Sequence, residues 1–460
     1  MDITARQESY QRHVQAHFRW NFAANLWDIA FITFGLNLVS QTTIMPLLVS
    51  ELTASKVVIG LIPAVYSLGF LLPQLLMANF SEGLRVNKPF VMLLGGLGER
   101  VPYLLIGLVI LWLGRPAPAL TLALFFLLLA TTATSNGMAT PAWFSMIAKV
   151  IPTHRRGLWS GTARSLGALL GIAGAAFSGR LLANWPFPEN YGYSFLVAFL
   201  FVAISWLGLA ANREPESPTV KPRTTLGAYL RRLPEVLRRD SNYLRFLVSR
   251  SVTSLGSYFR RLPEVLHRDS NYVRFVLSRS MASLGAMAGG FFMVYGKENI
   301  EGVLEQVGTL TAILVATQAV MNLAWGLVGD RVGHKIVLCA AAAFMALTAV
   351  SGWLASSPAW LWATFALLGI AMSAESVSQM NIILEFCAPE DRPTYIGLTN
   401  TLLAPARTLG PILGGALATW FSYRSMFAVA AIVSILGAIL LIVWVREPRH
   451  VRRDEIVSPE

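Results

Sequence analysis

Charged residues are scarce in this chain of 460 residues. They make up 13% of it, about half the roughly 25% of an ordinary soluble protein. The length alone would suggest about three soluble domains, and this deficit excludes them. Cysteine is scarcer still. Only Cys339 and Cys387 occur, one inside an apolar run and one at the end of another, so neither a disulfide framework nor a cysteine metal site is expected. Lysine is nearly absent, with six against 31 arginines, a bias that fits a GC-rich bacterial genome. No Walker loop, nucleophile–base arrangement or metal-ligand cluster is found. No cofactor is therefore expected, and a membrane enzyme is disfavoured. The first 20 residues lack an apolar core, so no cleavable signal peptide is expected.

What the chain has in abundance is apolar surface. Hydrophobic residues are 55% and the mean hydropathy is +0.55. Only a bilayer solvates so much of it. A spanning helix needs about 20 mainly apolar residues. Twelve stretches meet that length, near 22–49, 57–80, 89–113, 119–141, 157–182, 191–211, 272–295, 305–328, 335–356, 359–386, 394–420 and 423–445. The expected fold class is an all-α integral membrane protein with 12 transmembrane helices in two six-helix halves.

Charge sets the orientation. With the N-terminus inside, the inside segments hold 27 Lys and Arg and the outside loops four. That asymmetry places both termini and the long middle loop in the cytoplasm. The net charge of +12 thus reflects topology, and no nucleic-acid partner is expected. The expected divisions are a cytoplasmic segment 1–21, a first half 22–211, a cytoplasmic loop 212–271, a second half 272–445 and a tail 446–460.

Two repeats stand out. Arg156, Gly161, Gly174 and Gly179 recur as Arg392, Gly397, Gly410 and Gly415 at a constant offset of 236. This points to duplicated halves, with glycines that let membrane helices approach closely. The second repeat is local. Residues 229–257 and 258–286 match at 21 of 29 positions, which makes them a tandem duplication. Only the second copy runs on into a spanning stretch. The first contains Arg250 and is too short to cross, so it is expected to lie as an amphipathic helix on the membrane surface.

Between the eighth and ninth stretches stands Gly326-Leu327-Val328-Gly329-Asp330-Arg331-Val332-Gly333-His334-Lys335. It resembles the G-x-x-x-D-[RK]-x-G-x-[RK] signature of the major facilitator superfamily. The corresponding loop of the first half, 78–88, keeps only a small residue and the acid Glu82. The resemblance spans essentially the whole chain. It implies a secondary active transporter, permease or exporter, that moves a small-molecule substrate across the lipid bilayer by alternating access. Its site would lie between the halves near the midplane. With no nucleotide site, the expected energy source is a proton or solute gradient, protons first, and the expected form is a monomer in the cell inner membrane. The gating motif would comprise Gly326, Asp330, Arg331, Gly333 and Lys335, with Glu82 in the first half. Asp330 would pair with Arg331 or a helix N-terminus, Gly326 would permit close helix approach, and Gly333 a tight turn. The alternative is a transporter-like sensor or binding protein without translocation, which the degenerate loop and the duplicated segment would favour.

Ionisable residues at membrane depth are functional candidates by default. Asp28 lies in the first stretch with Asn21 and Asn25 at helical spacing. Glu99 and Arg100 lie in the third and read as an intramembrane ion pair. Glu375, with Gln379 on the same helical face, lies mid-helix in the tenth stretch, and Arg407 mid-helix in the eleventh. By the resemblance these two helices line the cavity, which makes Glu375 the expected carrier of a coupling proton. Asn136, Gln318 and Asn322 complete the substrate or coupling candidates.

Overall fold

The computed structural model of the protein describes residues 3–82, 84–152, 155–217, 270–386 and 392–447. The amphipathic helix expected over 229–257, Cys387 and the end of the tail lie outside them. Among the described residues every regular element is helical. The first half comprises α1 (Ile3–Leu38), α2 (Ile44–Leu52), α3 (Lys56–Glu82), α4 (Lys88–Leu113), α5 (Pro118–Val150), α6 (Arg156–Asn184) and α7 (Glu189–Ala211). The second comprises α8 (Ser270–Gly285), α9 (Phe291–Asn299), α10 (Val307–Val332), α11 (His334–Leu354), α12 (Pro358–Phe386), α13 (Arg392–Trp420) and α14 (Tyr423–Trp444). Eight of these columns are long and apolar enough to cross a membrane by length and composition alone. The other six are α1, α3, α8 and α13, which carry charge, proline or a break, and the nine-residue α2 and α9.

The first stretch departs from expectation in two ways. No proline or glycine interrupts 3–34, so α1 starts at Ile3 and residues 3–21 are helix. It then ends at Leu38 instead of running to 49. The polar run Ser40-Gln41-Thr42-Thr43 turns the chain, with the Ile44 and Met45 N–H groups both donating to the Ser40 carbonyl at 2.9 Å. The seventh stretch breaks in the same place. A short 3₁₀ turn, Ala286–Ala288, and Gly289-Gly290 separate α8 from α9. Each half thus begins with a broken helix. Irregular backbone is tolerated at membrane depth where it is buried in protein or lines a cavity. In α4 the stretch Leu94–Arg100 is π-helical, a form often found at functional sites.

The duplicated pair is exact in length, since α6 and α13 begin and end 236 residues apart. Each crosses onto the opposite half, α6 onto α10 and α13 onto α3. The last glycine of each repeat lies at that crossing. A Cβ on Gly308 would sit 2.7 Å from the Gly179 Cα, and one on Gly415 would sit 2.7 Å from the Val57 Cα. Gly161 differs, because nothing lies within 4 Å of where its Cβ would be.

The face that carries the starts of α1 and α8 and the ends of α7 and α14 is called here the linker face, and the opposite one the far face. On the linker face each half is closed by the same clasp. The Asn21 amide donates to the Arg213 carbonyl at 3.1 Å and accepts the Arg213 N–H at 2.8 Å. The Asn271 amide does the same with Arg446, at 3.0 and 2.7 Å. In both halves the clasped arginine opens an Arg-Glu-Pro sequence. Glu214 of the first copy accepts from the N–H groups of Asn87 and Lys88 at the start of α4 and pairs with Lys149 at 2.9 Å. A carboxylate there balances the positive helix N-terminus. Residues 212–217 are therefore strapped to the first half. Glu447 of the second copy lies against Gly333, 2.8 Å from where its Cβ would be. Replacing Asn21, which is fully buried, by Ala should cost about 1–3 kcal/mol through unpaired backbone groups. A lowered melting midpoint of the purified protein in detergent checks this.

Candidate functional site

The two helix breaks face each other across the seam between the halves, with Pro46 3.6 Å from where a Gly290 Cβ would be. Around them lies a cavity of about 490 Å³. The first half contributes Gln41, Thr42 and the walls of α3. The second contributes α8, α11, α12 and α13. Three ionisable residues line it, Arg279, Glu375 and Arg407. Arg279 donates to Glu375 Oε1. Arg407 Nη2 donates to the same oxygen at 3.1 Å and to Gln379 Oε1 at 3.1 Å. Glu375, Gln379 and Arg407 are sequence candidates that the fold brings together. Arg279 is an addition. Its signal was an arginine nine residues into α8, roughly 14 Å along the helix at 1.5 Å per residue.

The other candidates lie elsewhere. Gln318 reaches Met372 Sδ at 3.4 Å, one layer behind the cavity wall. Asn322 does not line the cavity, and its buried Oδ1 has no hydrogen-bond partner among the described residues. Asp28, Glu99, Arg100 and Asn136 form a second cluster inside the first half. Arg100 Nη2 lies 3.3 Å from Asp28 Oδ1 and Nη1 lies 3.4 Å from Glu99 Oε2. Ser205 donates to Asp28 at 2.8 Å, and Asn136 to Glu99 Oε1 at 2.7 Å. Asp28 is 4% exposed and Arg100 3%. The pair Glu99–Arg100 is thus a triad with Asp28, while Asn21 and Asn25 serve the linker-face contacts. Tyr66 lies near both Glu99 of this triad and Gln41 of the cavity wall.

The signature loop is arranged only partly as expected. Gly333 has φ of +116°, a conformation that glycine adopts without strain, so the tight turn is present. Gly326 makes no close approach, because nothing lies within 4 Å of where a Cβ would be. Asp330 and Arg331 are exposed. Lys335 donates to the Ile442 carbonyl at 3.2 Å, a cation at a helix C-terminus. The buried His334, which was not a sequence candidate, contacts Ser378 Oγ at 3.1 Å. The Glu82 side chain lies outside the described residues.

Contacts between the halves gather on the far face. Lys297 pairs with Glu51 at 2.7 Å and Lys56 with Glu298 at 3.9 Å. Tyr423 donates to Glu298 at 3.0 Å, and Lys56 stands 3.8 Å from the Tyr423 ring centroid. Deeper in, Thr311 donates to Thr43 at 2.9 Å. Lys56 and Lys297 are two of the four Lys and Arg counted in the outside loops, and the sequence gives them no other mark. Their partners lie in the opposite half of the chain, so no local pattern announces them. The far face is closed in this conformation.

A two-half bundle with broken first helices, a charged cavity between them and crossings by α6 and α13 defines a class of membrane protein. Family comparison agrees with it. The model of the Major Facilitator Superfamily matches residues 28–298 and 275–459, and the chain belongs to that superfamily. A multi-drug resistance efflux pump PmrA homolog of Lactococcus lactis subsp. lactis is 28% identical over 124 residues, 27% of this chain and 30% of that protein. The synaptic vesicular amine transporter of Homo sapiens is 31% identical over 151 residues, 32% of this chain and 29% of that one. The chain therefore matches under a third of the length of these two relatives. Among solved structures, the nucleoside transporter NupG superposes with a TM-score of 0.66 at 12% identity, covering 92% of this chain and 98% of that one.

Proposed function

We propose that this protein is a secondary active transporter that moves a small solute by alternating access, with the linker face cytoplasmic and the far face outside. Membership of the superfamily supports transport, and the Lys/Arg asymmetry supports the orientation. On this reading the conformation described is closed to the outside. Opening outward separates the Glu51–Lys297 and Lys56–Glu298 pairs. The solute binds at Arg279, Glu375, Gln379 and Arg407, in the cavity between the broken helices.

The observation that carries the coupling is the buried triad. Asp28 and Glu99 face one guanidinium, so the cluster holds one uncompensated negative charge inside the bilayer. Such a charge is costly, and one proton cancels it. The groups facing these carboxylates are Arg100, Ser205 and Asn136. Glu375 instead spends its charge on two arginines, so we assign it to positioning them.

The test uses a solute found by thermal-shift screening and purified protein in proteoliposomes. Asp28→Asn and Glu99→Gln, made separately, each leave Arg100 one carboxylate and hold the cluster at the neutrality one proton brings; each should leave solute exchange within about twofold of the parent and abolish accumulation driven by a pH gradient, because exchange needs only substrate-linked conformational change. Retention of full accumulation would sink the assignment.

A further inference from the structure

We infer that the cavity binds an organic monoanion with an apolar body. The inference rests on the transporter reading for its biological meaning, but binding itself is testable without transport. Among the described residues, the ionisable lining groups are two guanidiniums and one carboxylate, which leaves one positive charge in excess. Among the described residues, the first half contributes none to the cavity wall. The excess is not dispersed into water. Arg279 is sealed, with its side chain 3% exposed, while the Arg407 side chain is 28% exposed. Arg407 is therefore the cation presented to a ligand, and its planar fork suits a carboxylate or sulfonate. Gln379 and Glu375 hold that fork in place.

The sign of the ligand follows from charge counting. A monoanion brings the site to neutrality. A zwitterion leaves the excess unchanged, and a cation raises it to two in a poorly solvated space. The body of the ligand follows from the walls. Ile59, Met287, Phe291, Met345, Leu368 and Met372 line the cavity, and sulfur-rich apolar walls adapt to varied apolar shapes. The site therefore differs in kind from one built for an amine, which needs an uncompensated carboxylate. The triad carries the opposite excess, one negative charge. Anion and proton bound together would leave both clusters neutral, whereas either alone would leave a net charge.

The test uses three probes that share a naphthalene ring: naphthalene-2-sulfonate, the zwitterion 2-naphthylalanine and 2-naphthylmethylammonium. Binding to the full chain in detergent is measured by titration calorimetry. The sulfonate should bind at least about tenfold more tightly than either other probe. Arg407→Gln should erase that preference. It leaves Glu375 paired with Arg279, so no orphaned charge is created. Arg407→Lys should keep the preference with weaker binding, since the charge stays and the fork is lost. Equal or tighter binding of the ammonium or the zwitterion overturns the inference, as does binding of none of the three at millimolar concentration. Uptake into proteoliposomes separates the two claims. Uptake of the ammonium keeps the transporter and ends the anion site. Sulfonate binding without uptake of any solute keeps the site and ends the transporter.

Discussion

Arg100→Met should destabilise the protein by about 3–5 kcal/mol, the cost of removing one partner from a buried ion cluster. Arg100 satisfies five groups at once. Its Nε donates to the Val202 carbonyl at 2.7 Å, Nη1 to the Gly95 carbonyl at 2.8 Å and Nη2 to Ser205 Oγ at 2.9 Å. The same two terminal nitrogens face Asp28 and Glu99. Methionine fills much of the volume but leaves two buried carboxylates without a cation. Unfolding of the purified protein, followed by heat or denaturant in detergent, gives the measurement. The triple variant Asp28→Asn, Glu99→Gln, Arg100→Met should regain most of the loss, because the stranded charges are gone. If the single variant melts with the parent, or the triple variant is no better than the single, charge burial is not what holds this cluster.

The second large effect concerns motion. Gly179→Leu should disable closure of the far face and reduce transport by about a hundredfold or more. At this crossing a glycine Cα meets another glycine, with no room for a Cβ on either side. Overpacking of about 3 kcal/mol in one state is roughly a hundredfold in its population. The fold should survive, since the halves can separate there without unfolding. In a background lacking Cys339 and Cys387, a cysteine at Thr311 should become reactive toward an impermeant maleimide added from outside. Thr311 is buried beneath the crossing and bonded to Thr43 in the closed state. Unchanged labelling together with normal flux would show that the seam opens elsewhere.

Most helices and the relation between α6 and α13 were legible because apolar length and a constant offset are local, additive signals. The breaks were not. Ser40-Gln41-Thr42-Thr43 contains neither glycine nor proline, and its polarity reads as the end of a span instead of a turn within one. Arg279 escaped notice because it lies inside the duplicated segment, where its twin Arg250 makes it look like one of two surface arginines. The Glu99–Arg100 pair was legible, whereas Asp28 and Arg407 were visible only as isolated costs. Their partners were not, since Asp28 meets an arginine 72 residues away and Arg407 a glutamate 32 away. The far-face pairs were illegible for a further reason. They join side chains that remain partly exposed, so neither partner looks out of place in its own loop. The signature motif misled at Gly326, where sequence similarity outlasts the close packing it suggests.

The paired asparagine clasps bear on the tandem repeat. Asn21 and Asn271 each tie the start of a half to its own end, so neither half depends on the other chain segment for its closure. The connection between Ser217 and Ser270 is anchored at both ends to bodies that are already complete. Lengthening such a connection is thermodynamically mild, about 0.6 kcal/mol for each doubling. A stretch of 29 residues could be copied here and inherited without disturbing either bundle, whereas the same copying event inside α6 or α13 would have thrown every later residue of that helix out of register with the seam. The duplication falls between two bodies that each close on themselves, where the genome can stutter and the protein need not notice.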